Sequence, residues 1–205
     1  MLTTANKITI VRIFLIPVFV MMVIYYGRSV QKGDPQDWQR FAAIMVFLIA
    51  AASDGLDGYI ARRYNQKTQL GVILDPIADK GLLLAAIISL SISDWQYEFP
   101  IWFPVLVIAR DAVIVVGTFV LHLLNGDVQV RPSWLGKTAT VLQMTAIACA
   151  MLELQSIAWN FESFKLSLPD VAVYAAGFFT LISGAGYLMD GFRQLHEGGH
   201  ASARS

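Results

Sequence analysis

One cysteine and three histidines among 205 residues leave the chain almost without soft metal ligands. Cys149 lies in an apolar run, which excludes both a disulfide framework and a cysteine-based metal site. His122 stands near the end of an apolar segment and reads as a packing or interfacial residue, while His196 and His200 fall in a polar tail; none of the three marks a metal centre. Charge is scarce too. Fifteen basic residues balance fifteen acidic ones, and charged residues make up 15% of the chain, against about 25% in a typical soluble domain. With a net charge of zero there is no concentrated basic surface, so recognition of a nucleic-acid backbone is excluded.

What is present in excess is apolar. Hydrophobic residues reach 56%, and the mean hydropathy is +0.57. A membrane span needs roughly 20 mainly apolar residues, and such stretches recur along nearly the whole chain. The expected fold class is an all-α polytopic membrane protein with six transmembrane helices: Ile8–Tyr26, Trp38–Tyr59, Leu70–Ile92, Ile101–Leu124, Trp134–Leu154 and Val171–Met189. They form one membrane domain over residues 1–195, and the polar tail 196–205 is expected to be disordered. Turn residues punctuate the connections: Gly33, Asp34 and Pro35, then Pro100, Asn125 with Gly126, and Pro169. Trp38, Trp95, Trp102, Trp134 and Trp159 fall near span ends, where amphipathic rings favour the headgroup layer. Arg12 interrupts the first apolar run and no small-residue cleavage site closes it, so this run reads as a retained span.

The even span count puts both termini on one side. Arg62, Arg63, Lys67, Arg131, Lys137, Arg193 and Arg204 then share that side, which the positive-inside rule makes cytoplasmic, although Arg28, Lys32 and Arg40 lie near the first opposite loop.

The chemistry concentrates where the second span ends and the third begins. Asp54 and Asp57 are three residues apart, and Asp75 and Asp79 four apart, so each pair shares one helix face. A hairpin would let the two faces converge into a cage of carboxylate oxygens. Four carboxylates confined at membrane depth repel one another and resist ionisation. A hard cation resolves this, and oxygen-only ligands suit Mg²⁺ or Mn²⁺. Gly58, Ala61 and Gly71 keep the same faces small, so that a ligand or the opposing helix can come close. Arg62 adds a permanently charged fork suited to phosphate. Lys80, next to Asp79, reads as local charge balance. Cations, an arginine and small residues together describe a site for a diphosphate.

The spacing Asp-x2-Asp-Gly-x2-Ala-Arg-x8-Gly-x3-Asp-x3-Asp, from Asp54 to Asp79, resembles without departure the signature of the CDP-alcohol phosphatidyltransferases. The six-span plan extends the likeness over nearly the whole chain. The resemblance implies an enzyme of phospholipid biosynthesis that moves a phosphatidyl group from CDP-diacylglycerol to an alcohol and releases CMP. It implies a site on the cytoplasmic face of the bacterial inner membrane, two Mg²⁺ or Mn²⁺ ions and a homodimer. By residue, Asp54, Asp57 and Asp75 become ligands of the first metal, with Asp75 bridging to the second. Asp79 becomes both ligand and general base, and Asp54, Asp57, Gly58, Ala61, Arg62 and Gly71 line the CDP site.

Two acceptors stay open. Asn6 to Arg12, Leu15-Ile16-Pro17 and Ala61 to Gln66 are similar to bacterial enzymes that use glycerol-3-phosphate and make phosphatidylglycerophosphate. Arg110, Arg131 and Lys137 are then candidates for the acceptor's phosphate. Those enzymes usually carry Arg-Glu where this chain has Arg110-Asp111. That pair, with Val130 to Ser133 and Gly136-Lys137, looks closer to CMP-forming cardiolipin synthases, whose acceptor is phosphatidylglycerol. The N-terminal likeness keeps glycerol-3-phosphate ahead. An aspartate-rich intramembrane prenyltransferase would usually present a second separated acidic motif, which the sequence lacks. A non-enzymatic cation transporter or membrane interaction protein is the remaining rival, and Arg62 beside the cage would repel a permeating cation.

Overall fold

A computed structural model describes residues 4–63, 69–125, 134–160 and 165–202. Among these the chain forms six α-helices: α1 (Thr4–Gln31), α2 (Asp37–Arg63), α3 (Gln69–Ile92), α4 (Trp102–Asn125), α5 (Trp134–Met151) and α6 (Leu168–Ser202). Each overlaps one expected span. The helical expectation has one departure. Between α5 and α6 the chain makes a short 3₁₀ turn at Leu154–Ser156 and then an antiparallel pair, β1 (Ala158–Asn160) with β2 (Lys165–Ser167), that sets Trp159 opposite Leu166. The short connection between two helix ends satisfies its backbone groups across a hairpin, and the Leu168 amide closes it on the Ile157 carbonyl at 2.9 Å. α6 continues through His196 and His200 to Ser202, past the point where the sequence reading begins a disordered tail.

Among the described residues three helical stretches are long and apolar enough to cross a membrane: Asn6–Gln31, Trp102–Val120 and Leu168–Gly191. The protein is a membrane protein on that evidence. The exposed surface is that of a lipid-facing chain, with Phe14, Phe41, Val115, Phe119, Phe178 and Met189 each 57–69% exposed. Of the five tryptophans, Trp38, Trp102, Trp134 and Trp159 are exposed. Trp95 instead is buried edge-on against Tyr26, ring centroids 4.4 Å apart, so it serves packing and not the headgroup layer.

The described chain divides into two compact units. The first comprises Met1–Pro100 with Ile147–Gln155. In it α1 packs on both α2 and α3, and α2 on α3. Phe19 meets Phe47 at 5.6 Å, and α1 comes close at Gly27 to the residues just after α3, where an added Cβ would stand 3.0 Å from the Asp94 amide nitrogen. The core, Phe19, Val23 and Tyr26 of α1 with Leu82, Ala86, Ile87 and Leu90 of α3, repeats at helical spacing. α1 ends in a Schellman motif: the Gly33 amide bonds the Val30 carbonyl at 2.9 Å, Asp34 bonds Ser29 at 3.1 Å, and Gly33 takes φ 75°.

The second unit comprises Ile101–Ala146 with Ser156–Ser205. α4 packs on α6. Trp102 stacks on Tyr174, centroids 5.8 Å apart and planes at 17°, and Gln143 of α5 donates to Thr180 of α6 at 2.9 Å in a buried bond. A capping box starts α6. The Ser167 amide donates to Asp170 Oδ2 at 2.8 Å, while the Asp170 amide reaches back to Ser167 Oγ at 3.4 Å.

Candidate active site

The aspartate motif occupies two helices of the first unit. Asp54, Asp57, Gly58, Ala61 and Arg62 lie on the last turns of α2, and Gly71, Asp75 and Asp79 on the first turns of α3. The helical spacing expected from the sequence is therefore present in the backbone. Positions 54 and 57, and positions 75 and 79, therefore share a face of their helices, with five residues between the two helix ends. The side chains of 54–73, 75 and 76 lie outside the described residues. Asp79 is described and exposed, and its neighbour Ala78 is fully buried, which turns the carboxylate outward from the packed side of α3. Among the described residues no three metal-ligating side chains gather; the side chains of Asp54, Asp57 and Asp75 lie outside them.

The three acceptor candidates belong to the second unit. Arg110 projects from α4 with 9% of its side chain exposed. It donates to Asp111 Oδ1 at 2.8 Å and Ser183 Oγ at 2.9 Å, and its guanidinium carbon lies 5.7 Å from the centre of the Tyr187 ring. Gly184 admits its stem, since a Cβ there would meet Arg110 Cγ at 3.4 Å. Arg110 is thus paired with its neighbour in the chain, and one buried donor, Nε, keeps no hydrogen-bond partner. Lys137 is exposed and its Nζ stands 5.2 Å from the centre of the Trp134 ring, a cation–π contact. Arg131 lies outside the described residues.

The sequence reading passed over a polar face of α1. Asn6, Thr9 and Arg12, three residues apart, are 1–2% exposed, and Arg12 is the largest fully buried side chain described. A charged residue inside a long apolar run is the signal that could have found it.

The model of the CDP-alcohol phosphatidyltransferases matches residues 2–183. The chain belongs to that family and is a transferase of phospholipid biosynthesis. Over 199 residues it is 33% identical to the CDP-diacylglycerol–glycerol-3-phosphate 3-phosphatidyltransferase of Bacillus subtilis, covering 95% of this chain and 98% of the relative. The Escherichia coli K12 protein of the same name is 37% identical over 174 residues, 82% of this chain and 90% of its own length.

Proposed function

We propose that the chain transfers the phosphatidyl group of CDP-diacylglycerol to a hydroxyl of glycerol-3-phosphate, forming phosphatidylglycerophosphate and releasing CMP. The observation that carries this reading is the likeness of 95% of the chain to a relative of that activity by name, with the whole motif from Asp54 to Asp79 inside the family match.

An all-oxygen donor set on two packed helices fits a hard divalent cation. Asp54, Asp57 and Asp75 would hold one Mg²⁺ or Mn²⁺, and Asp75 and Asp79 would help hold a second. When bound, such ions neutralise the diphosphate and align the attacking and leaving oxygens. The remaining work falls to the chain. Arg62 pairs with the diphosphate, and Gly58, Ala61 and Gly71 let the nucleotide approach the helix backbones. Asp79, exposed on α3, takes the proton of the acceptor hydroxyl. Arg131, Lys137 and the spare Nε of Arg110 supply donors for the acceptor's phosphate. The enzyme works as a homodimer of six-span chains in the bacterial inner membrane, with the motif on the cytoplasmic side.

Purified protein in detergent micelles, supplied with CDP-diacylglycerol and Mg²⁺, is expected to release CMP with glycerol-3-phosphate. Asp79→Asn is expected to lower that rate by about 100-fold or more. Release with phosphatidylglycerol alone would move the activity to cardiolipin synthesis, and an Asp79→Asn variant as fast as wild type would remove the base from the mechanism.

A further inference from the structure

We propose that Ser183 on α6 is a binding residue for the acceptor's phosphate, its hydroxyl donating a hydrogen bond to a phosphate oxygen beside Arg110. Helix register brings the two residues together. Gly177 of α6 lies against Trp102 and Leu106 of α4, and Gly184, further along α6, lies against Arg110. The two helices therefore run in parallel. The side chain of Arg110 leaves α4 across the turn of α6 that carries Ser183, Gly184 and Tyr187.

The hydrogen bonds carry the argument. A serine hydroxyl has one proton to donate and two lone pairs. Within a helix the proton commonly goes to a carbonyl three or four residues back, as it does at Ser53, Ser89, Ser91 and Thr180. Ser183 departs from this pattern. Its Oγ accepts from Arg110 Nη2 at 2.9 Å, and among the described residues it donates to nothing. The residue is 1% exposed, so its proton is shut away from bulk solvent as well. The Nε of Arg110 is a second buried donor without a hydrogen-bond partner. Each such donor costs free energy until an acceptor meets it.

A guanidinium with two spare donors beside it suits an oxyanion. Asp111 takes Nη1, and the Tyr187 ring lies over the guanidinium, so an oxyanion comes in at its edge. The Arg110–Asp111 pair reaches the surface, with 9% and 17% of the two side chains exposed. Because Asp111 offsets the charge of Arg110, a neutral donor in the same place strengthens the hold on phosphate where charge alone is weak. The shared chemistry is a phosphate oxygen, carried by the monoester of glycerol-3-phosphate or by the diester of phosphatidylglycerol.

The inference rests on the proposed reaction, with Arg110 at the acceptor's phosphate, and the test keeps the two apart. CMP release by the full chain in micelles is measured while each acceptor, and then CDP-diacylglycerol, is varied. Ser183→Ala is expected to raise KM for glycerol-3-phosphate about 10-fold or more, with kcat and the KM for CDP-diacylglycerol within about twofold of wild type. Ser183→Cys keeps the size of the side chain and replaces the hydroxyl with a weak donor, and it is expected to raise the same KM by about threefold or more. A packing role predicts Ser183→Cys close to wild type, or losses that fall on the unfolding midpoint and kcat instead of KM; either pattern overturns the inference. If Ser183→Ala does not fold, Ser183→Cys decides alone. Wild type that releases CMP with phosphatidylglycerol and not with glycerol-3-phosphate would overturn the proposed acceptor, and the KM shift is then expected against phosphatidylglycerol. Release with glycerol-3-phosphate and no shift in either variant leaves the reaction standing and removes Ser183 from it. Release with neither acceptor removes both.

Discussion

Glu153 is the non-glycine residue with left-handed backbone among those described, at φ 54°, a conformation that costs about 1–2 kcal/mol for an L side chain. What holds it there is its carboxylate, which accepts from the Tyr26 hydroxyl and the Arg40 guanidinium. Arg40 also pairs with Asp37 at 3.4 Å. With Arg40 19% and Glu153 12% exposed, the pair is partly screened. Glu153→Gln leaves Arg40 without its nearer counter-ion and is expected to destabilise the protein by about 1–3 kcal/mol, read as a lower unfolding midpoint in micelles. CMP release measured well below that midpoint should stay near the wild-type rate, because Tyr26 lies far along α1 from the motif. A lost activity at an unchanged midpoint would contradict this account. None of this was legible in the sequence. The partners are 127 and 113 residues apart, and only tertiary structure joins them. Arg40 read instead as a basic residue that weakened the charge rule. Arg110 was more legible, because its partner Asp111 is its neighbour in the chain.

At the scale of elements, the helices follow from the hydropathy pattern, and their ends follow from local chemistry. Gly33 after Val30 permits the left-handed turn that closes α1, and Ser-x-x-Asp at Ser167 to Asp170 caps α6. The β1–β2 pair was not anticipated, since three residues per strand carry too little alternation to stand out beside two long apolar runs. Packing at Gly177 escaped notice as well. A Cβ there would lie 2.8 Å from Trp102 Cζ3, inside the stack with Tyr174. Gly177→Val is expected to push the indole aside and cost about 1–3 kcal/mol. Gly117→Ala, with nothing within 4 Å of the new methyl, is expected to be neutral or to stabilise α4 by up to about 1 kcal/mol. Unfolding midpoints of the two variants check the contrast, and equal effects would refute the packing account.

For the whole molecule, the motif was legible because its chemistry is written in fixed spacing across one short connection. Its environment was not, because burial of Arg12 depends on helices that arrive later in the chain. The orientation can be tested with the lone Cys149, which is buried and gives little background to a membrane-impermeant thiol reagent. Lys32 and Arg193 are exposed, beyond the end of α1 and within the last turns of α6. In intact spheroplasts Lys32→Cys is expected to label, and Arg193→Cys only after permeabilisation. The reverse pattern would invert the proposed topology.

Burial of Arg12 also bears on how the protein is made. α1 is synthesised before α2 and α3, with Arg12 42 residues ahead of Asp54. A lone arginine in a membrane helix is disfavoured by about 2.5–3.5 kcal/mol on insertion scales, less near a helix end where it can reach the headgroups. The packing that encloses it comes from α2 and α3. α1 is therefore expected to settle fully only once α2 and α3 pack against it, and a chain cut after α1 is expected to insert it less completely than the full chain does.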